Sequence, residues 1–211
     1  MQLVYSNILS VPRLNRYKLN NNDNEVDLLN NYLWNIKLAE AFYPALALFE
    51  VVLRNRIDYS ISKNIKQDWL LKPNTDKFLI GIELQSYNKA LNNIKKRVTK
   101  DRLISELNLG FWISLFKNFY NHVIWDKPNV FYDICPLYPK GVMNSKKHIS
   151  PKIRKIHELR NKISHHEPIF DEPNGIDNCY RDLEQVIFWL SPEAKEILDK
   201  TSRFWDIWNK K

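Results

Sequence analysis

The chain predicts an all-α fold, a bundle of helices, and two observations lead there. Apolar residues recur at intervals of three and four over long stretches, the spacing of one face of an α-helix. Only four glycines occur in 211 residues, few for a sandwich or barrel that turns every ten residues, and none forms a G-x-G-x-x-G or Walker-type phosphate loop. Nucleotide-loop enzymes are thereby disfavoured.

Taken in order, residues 1–24 are rich in Asn, carry Pro12 and predict a loosely ordered arm or a loop packed on the bundle. Residues 25–211 then form a single helical domain that opens with an additional N-terminal helical region. Phe42, Leu46, Phe49, Leu53 and Ile57 mark the buried face of a helix of about 25 residues, with Pro44 tolerated near its first turn. After the Lys72-Pro73-Asn74 breaker, Phe78, Ile82, Leu84, Leu91, Ile94 and Val98 predict a third helix ending in Lys95-Lys96-Arg97. That basic end either touches phosphate or places cations favourably at a helix C-terminus. Residues 107–120, LNLGFWISLFKNFY, set Phe111, Trp112, Leu115, Phe116 and Phe119 on one wide aromatic face. Its density of apolar side chains marks it as core and not as a platform for stacked bases. Residues 126–151 hold Pro128, Pro136, Pro139, Gly141 and Pro151 and predict the long loop of the chain, a place to cover a site or hold a partner. A helix from Pro151 to His166 stops ahead of Pro168, and two more follow near 176–190 and 192–208. No solenoid period is evident, although LRNRIDYSI at 53–61 faintly echoes LRNKISHHE at 159–167 without the histidines.

The formal net charge of +8, with a pI near 9.3, attracts polyanions, which in a cell are chiefly RNA and DNA. No apolar run approaches the roughly 18 to 20 residues that cross a bilayer, and the N-terminus has no continuous signal-peptide core, so the expectation is a cytoplasmic protein without membrane contact. Cys135 and Cys179 lie far apart with no C-x-x-C spacing, so they read as free thiols. No cofactor is expected.

The segment around residue 160 carries the chemistry. At about 100° per residue, Ile153, Ile156, Leu159 and Ile163 form an apolar stripe that must face the core. On the opposite edge His157, Asn161 and His165 follow at i, i+4 and i+8, with Glu158 and Ser164 beside them. Arg160 sits at the border of the stripe, where its stem packs and its guanidinium reaches out; in the alternative, Arg160 and Asn161 satisfy buried helix ends or pair with an acid such as Glu50. Metal-free RNA cleavage needs a group to take the 2′-hydroxyl proton, a group to protonate the leaving oxygen, and a fixed cation for the developing charge. Histidine and arginine suit those three tasks. His165 and His166, in the last helical turn, are placed by the helix dipole to serve as acid more than as base. Arg160 and His165 point about 140° apart on one ideal helix, so two chains can complete one site. A zinc site from His157, His165 and His166 lacks a cysteine or acidic ligand at zinc-motif spacing, and metal is not expected.

Arg160-Asn161 followed by His165 resembles the R-x4-6-H motif of HEPN ribonucleases, and His166 also fits the spacing. The strings FYPALALFEVVLRNRI, LNLGFWISLF and LRNKISHHEPIF, in that order, resemble the abortive-infection (Abi-like) branch of that superfamily over most of residues 30–190. The resemblance implies a HEPN-like up-and-down helical bundle. It implies a homodimer whose motifs face one cleft, and RNA cleavage leaving a 2′,3′-cyclic phosphate, often to arrest growth during phage infection or as a toxin. On this reading Arg160, Asn161, His165 and His166 are catalytic, with Glu158, His157 and Ser164 in support. Lys162, Lys95, Lys96 and Arg97 contact RNA. A partner antitoxin or a phage-derived trigger is left open, and the competing reading is a non-catalytic module that binds RNA or protein.

Overall fold

In the computed structural model, which describes residues 5–71, 78–142, 145–172 and 175–210, every regular element is helical. The spine is α3, Glu25–Asn64. Its buried face runs through Leu38, Phe42, Phe49, Leu53 and Ile57, as the periodicity predicts. The helix is 40 residues long and Pro44 lies in its interior, so the expected shorter helix with proline in its first turn is corrected. Two causes account for the difference. Asn24 accepts from the backbone N–H groups of Val26 and Asp27 while Asp27 accepts from that of Asn24, a reciprocal cap that starts the helix early. Ala41, Phe42, Ala45 and Leu46 are buried on either side of Pro44, and their packing outweighs the roughly 3 kcal/mol that an interior proline costs.

The arm is more ordered than its composition predicts. It forms α1, Tyr5–Leu9, and α2, Val11–Asn15, anchored by buried Leu14 and Tyr17. The predicted third helix is α4, Gly81–Asn93, which stops ahead of Lys95-Lys96-Arg97; the Lys72-Pro73-Asn74 breaker lies outside the described residues. Thr99 opens a separate helix there, α5, Lys100–Glu106, by accepting from the Arg102 N–H at 3.3 Å. The aromatic segment is α6, Leu109–Ser114, followed by a 3₁₀ turn over Asn118–Tyr120 and a π turn over Asn121–Trp125. Phe111, Trp112, Leu115 and Phe116 are core, but Phe119 is half exposed, because the helix ends at Ser114 and its phase is lost.

The segment expected as a loop contains α7, Val130–Ile134, and the first turns of α8, Ser145–Ser164, which carries Pro151 inside it. Buried Ile149, Ile153, Ile156 and Leu159 give α8 its inward face. Next come α9, Ile176–Leu190, then α10, Pro192–Thr201, and α11, Phe204–Trp208; the expected last helix is divided at Ser202 and Arg203. Helix α9 packs on both α3 and α8, and α6 also touches both. Tyr180 of α9 stacks on Phe204 of α11 at 3.9 Å between ring centroids, with Phe42 edge-on to both. This core holds the inner face of α8 and leaves its polar edge outward. Among the described residues no helix is long and apolar enough to cross a membrane.

Candidate functional site at the polar edge of α8

Along the outer edge of α8, side chains meet one turn apart. The His157 Nε2 lies 3.4 Å from the Asn161 amide nitrogen, and the Asn161 amide oxygen accepts from Arg160 at 3.4 Å. The Arg160 guanidinium in turn stands 3.9 Å from the Glu50 carboxylate of α3. These contacts are long, so the groups are close neighbours that are not locked together, and the Arg160 side chain keeps 39% of its surface open. An anion can reach it. One turn past Glu50, Arg54 holds a buried Nε with no hydrogen-bond partner among the described residues.

His157 is partly buried, and burial first, then the nearby positive charge of Arg160, holds its pKa below the ordinary 6.5. The ring is neutral at pH 7 and has a lone pair to accept a proton. Helix α6 approaches it closely at Gly110: a Cβ there would stand 3.2 Å from the Asn108 oxygen and 3.8 Å from the His157 Nε2. Asn108 caps α6 by accepting from the Phe111 N–H at 3.0 Å.

The His165 N–H is donated to the Asn161 carbonyl at 2.9 Å, but among the described residues neither the His165 nor the His166 side chain hydrogen-bonds to this cluster. The helix ends at Ser164, so they lie past its last residue, not in its last turn. His166 adopts φ 55°, with its N–H donated to the Ile163 carbonyl and the Glu167 N–H to the Lys162 carbonyl, the paired bonds of a Schellman terminus. Both histidine side chains are exposed. The His166 carbonyl accepts from the Tyr17 hydroxyl at 2.8 Å and from Arg13, which ties the end of the motif to the N-terminal arm. Ser164 spends its hydroxyl on the Arg160 carbonyl at 3.0 Å, and Glu158 is exposed. Lys162 is held by Glu172 at 2.6 Å, a hydrogen bond that raises its pKa. Lys95, Lys96 and Arg97 are exposed beyond the end of α4. His157, His165 and His166 do not assemble a metal site, and no group of three or more potential ligands does so among the described residues.

A groove of about 1580 Å³ opens beside the cluster. His157, Glu158 and Arg154 line it from α8, Asn108 and Gly110 from α6, and Tyr132 from α7, while Lys146 and Lys147 contribute from the first turn of α8. Arg160, Asn161, His165 and His166 do not line it, so His157 is the residue shared by cluster and groove. None of the cations of this groove was expected from the sequence. The signal was present in the spacing of Lys147, Arg154 and Glu158, but Pro151 made residues 145–150 read as loop. Comparison of the chain with known protein families, with curated proteins and with solved structures finds no match.

Proposed function

We propose that this chain is a metal-independent RNA endonuclease of the HEPN, Abi-like kind, acting in the cytoplasm in phage defence or as a toxin. The observation that supports it best is the contiguous set Glu50, Arg160, Asn161 and His157, one end of which opens on a groove. In the proposed reaction the 2′-oxygen of RNA attacks the adjacent phosphorus and its proton passes to neutral His157. The bond to the 5′-oxygen breaks, and that oxygen takes a proton from His165. The Arg160 fork holds the non-bridging oxygens as charge builds. The products are a 2′,3′-cyclic phosphate and a 5′-hydroxyl. Asn161 orients His157, and Glu50 steadies Arg160 from α3. His165 is taken as the acid on its spacing from Arg160, and the exposed His166 is the other candidate.

A homodimer belongs to this reading. Leu33, Ile36, Tyr43 and Val51 form an exposed apolar stripe along α3 that ends beside Glu50. Pairing two such stripes would bury them, and in the proposed dimer the His165 of one protomer serves the Arg160 of the other. An antitoxin or a phage-derived trigger would hold or release the activity.

The test is cleavage of total RNA in excess chelator by the parent, Arg160→Ala and His165→Ala, each shown to be folded. Each substitution is expected to lower cleavage by about a hundredfold or more. Variants that cut as well as the parent would overturn the assignment. A second reading, an RNA- or protein-binding module without catalysis, is favoured by the His165 and His166 side chains making no hydrogen bond to the Arg160 cluster among the described residues. It predicts salt-sensitive RNA binding and no products in the same assay.

A further inference from the structure

The groove that ends at His157 has features that RNA cleavage alone does not require. Its volume, about 1580 Å³, exceeds the roughly 300 to 1,000 Å³ of pockets that enclose small ligands, so it suits a length of polymer better than a metabolite. Lys147 and Arg154 lie two turns apart, and His157 about one turn further on, along one face of α8. From Lys146 to His157 the helix rises about 16 Å, which sets a line of cations leading to the histidine. Among the described residues neither Lys147 nor Arg154 has an acidic partner, and both are exposed. Lys146 donates to the Asn121 side chain at 2.8 Å, and burial holds its pKa below the usual lysine value.

The remaining charges of the lining are partly answered. Lys117 is paired with Glu83 at 2.7 Å, while Asp126 stands 2.8 Å from the His122 imidazole and near enough to Lys146 for their charges to interact. Glu158 stays exposed at the histidine end, and the cationic stretch lies further back along α8. Tyr132 of α7 also lines the groove and is 38% exposed, its ring perpendicular to that of Phe131, which lines the groove beside it.

We infer that this groove is the path of a single-stranded nucleic acid, with backbone phosphates on Lys146, Lys147 and Arg154 and a base stacked on Tyr132. The RNA identity of that strand rests on the nuclease reading above, since the 2′-hydroxyl is what cleavage consumes. Cations together with an exposed aromatic side chain are how strands are held without regard to sequence. The segment that serves as track therefore differs from the Lys95-Lys96-Arg97 stretch that composition alone suggests.

The experiment measures anisotropy of a labelled 12-nucleotide 2′-O-methyl RNA, which binds but has no nucleophile for self-cleavage. The Lys147→Glu/Arg154→Glu double variant is expected to weaken binding at least about tenfold at moderate salt. It should also lower the slope of log Kd against log salt by about 1.4, near 0.7 for each lost phosphate contact. Tyr132→Ala is expected to weaken binding about fivefold. Variant affinities within twofold of the parent overturn the path, and so does a blunt duplex that binds as tightly as the strand. Cleavage of unmodified RNA is followed in the same proteins. If the parent binds through these residues yet cuts nothing, the path stands and the nuclease reading falls. If the double variant binds and cuts like the parent, the path falls and the nuclease reading stands.

Discussion

His157 is the residue on which cluster and groove converge, and its environment makes a specific demand on pH. Burial, followed by the charge of Arg160, lowers its folded pKa from the ordinary 6.5, so folding favours the neutral ring. The unfolded chain therefore binds more protons than the native one in the window below 6.5. The contribution of the site to stability is complete above that value and is lost as pH falls toward the lowered folded pKa. Denaturant unfolding between pH 7.5 and 5 should show stability falling with acidification, and His157→Gln should flatten that fall. A parent and a variant with the same pH dependence would show that the ring feels no such environment. At this scale the sequence was informative about neighbours on one helix: His157 and Asn161, at i and i+4, do lie side by side. It offered Glu50, far away in the chain, as one acid that Arg160 could pair with, which the structure bears out, but it gave no sign that His166 leaves the helical region at φ 55°. The first depends on how α3 and α8 are laid together, and the second on the cost of a left-handed residue being met by the bonds around it.

A buried side chain of α3 holds the turn that follows α8. Asn35, 4% exposed, accepts from the Ile169 N–H at 2.8 Å and donates to the Glu167 carbonyl at 3.2 Å, on either side of Pro168. The turn that follows the histidines is thereby held to the spine, and Tyr17 and Arg13 hold it from the arm. Asn35→Ala leaves a buried N–H and a carbonyl unpaired and is expected to cost about 2 kcal/mol in denaturant unfolding. A loss below about 0.5 kcal/mol would mean that water or a shifted backbone replaces the amide. The existence of the helices was legible in the apolar spacing, and their inward faces came out as expected. Their ends were not. Pro44 and Pro151 were read as boundaries, yet each lies inside a helix because buried residues on both sides hold the turn together. The basic stretch Lys95-Lys96-Arg97 was read as a helix end, but α4 stops short and Thr99 starts another helix.

For the molecule as a whole, the open question is what covers the apolar stripe on α3. Tyr43 is 73% exposed and Val51 41%, on the same face as Leu33 and Ile36. Under the proposed homodimer, Tyr43→Arg/Val51→Arg should convert a dimer to a monomer in sedimentation experiments while leaving the helical signal intact. A parent that is monomeric at micromolar concentration would remove the shared site from the proposal. The sequence by itself determined the helical class, the inward faces, the positive charge and the row of polar side chains on α8, because each is a property of composition or of residues within a few positions of one another. Only the tertiary structure decided where the helices run through proline, which acid faces Arg160, and that α6, α7 and α8 enclose a groove with His157 at its edge. Those features join segments tens of residues apart, and they are set by burial of a shared core, whose free energy depends on which faces meet and not on local sequence.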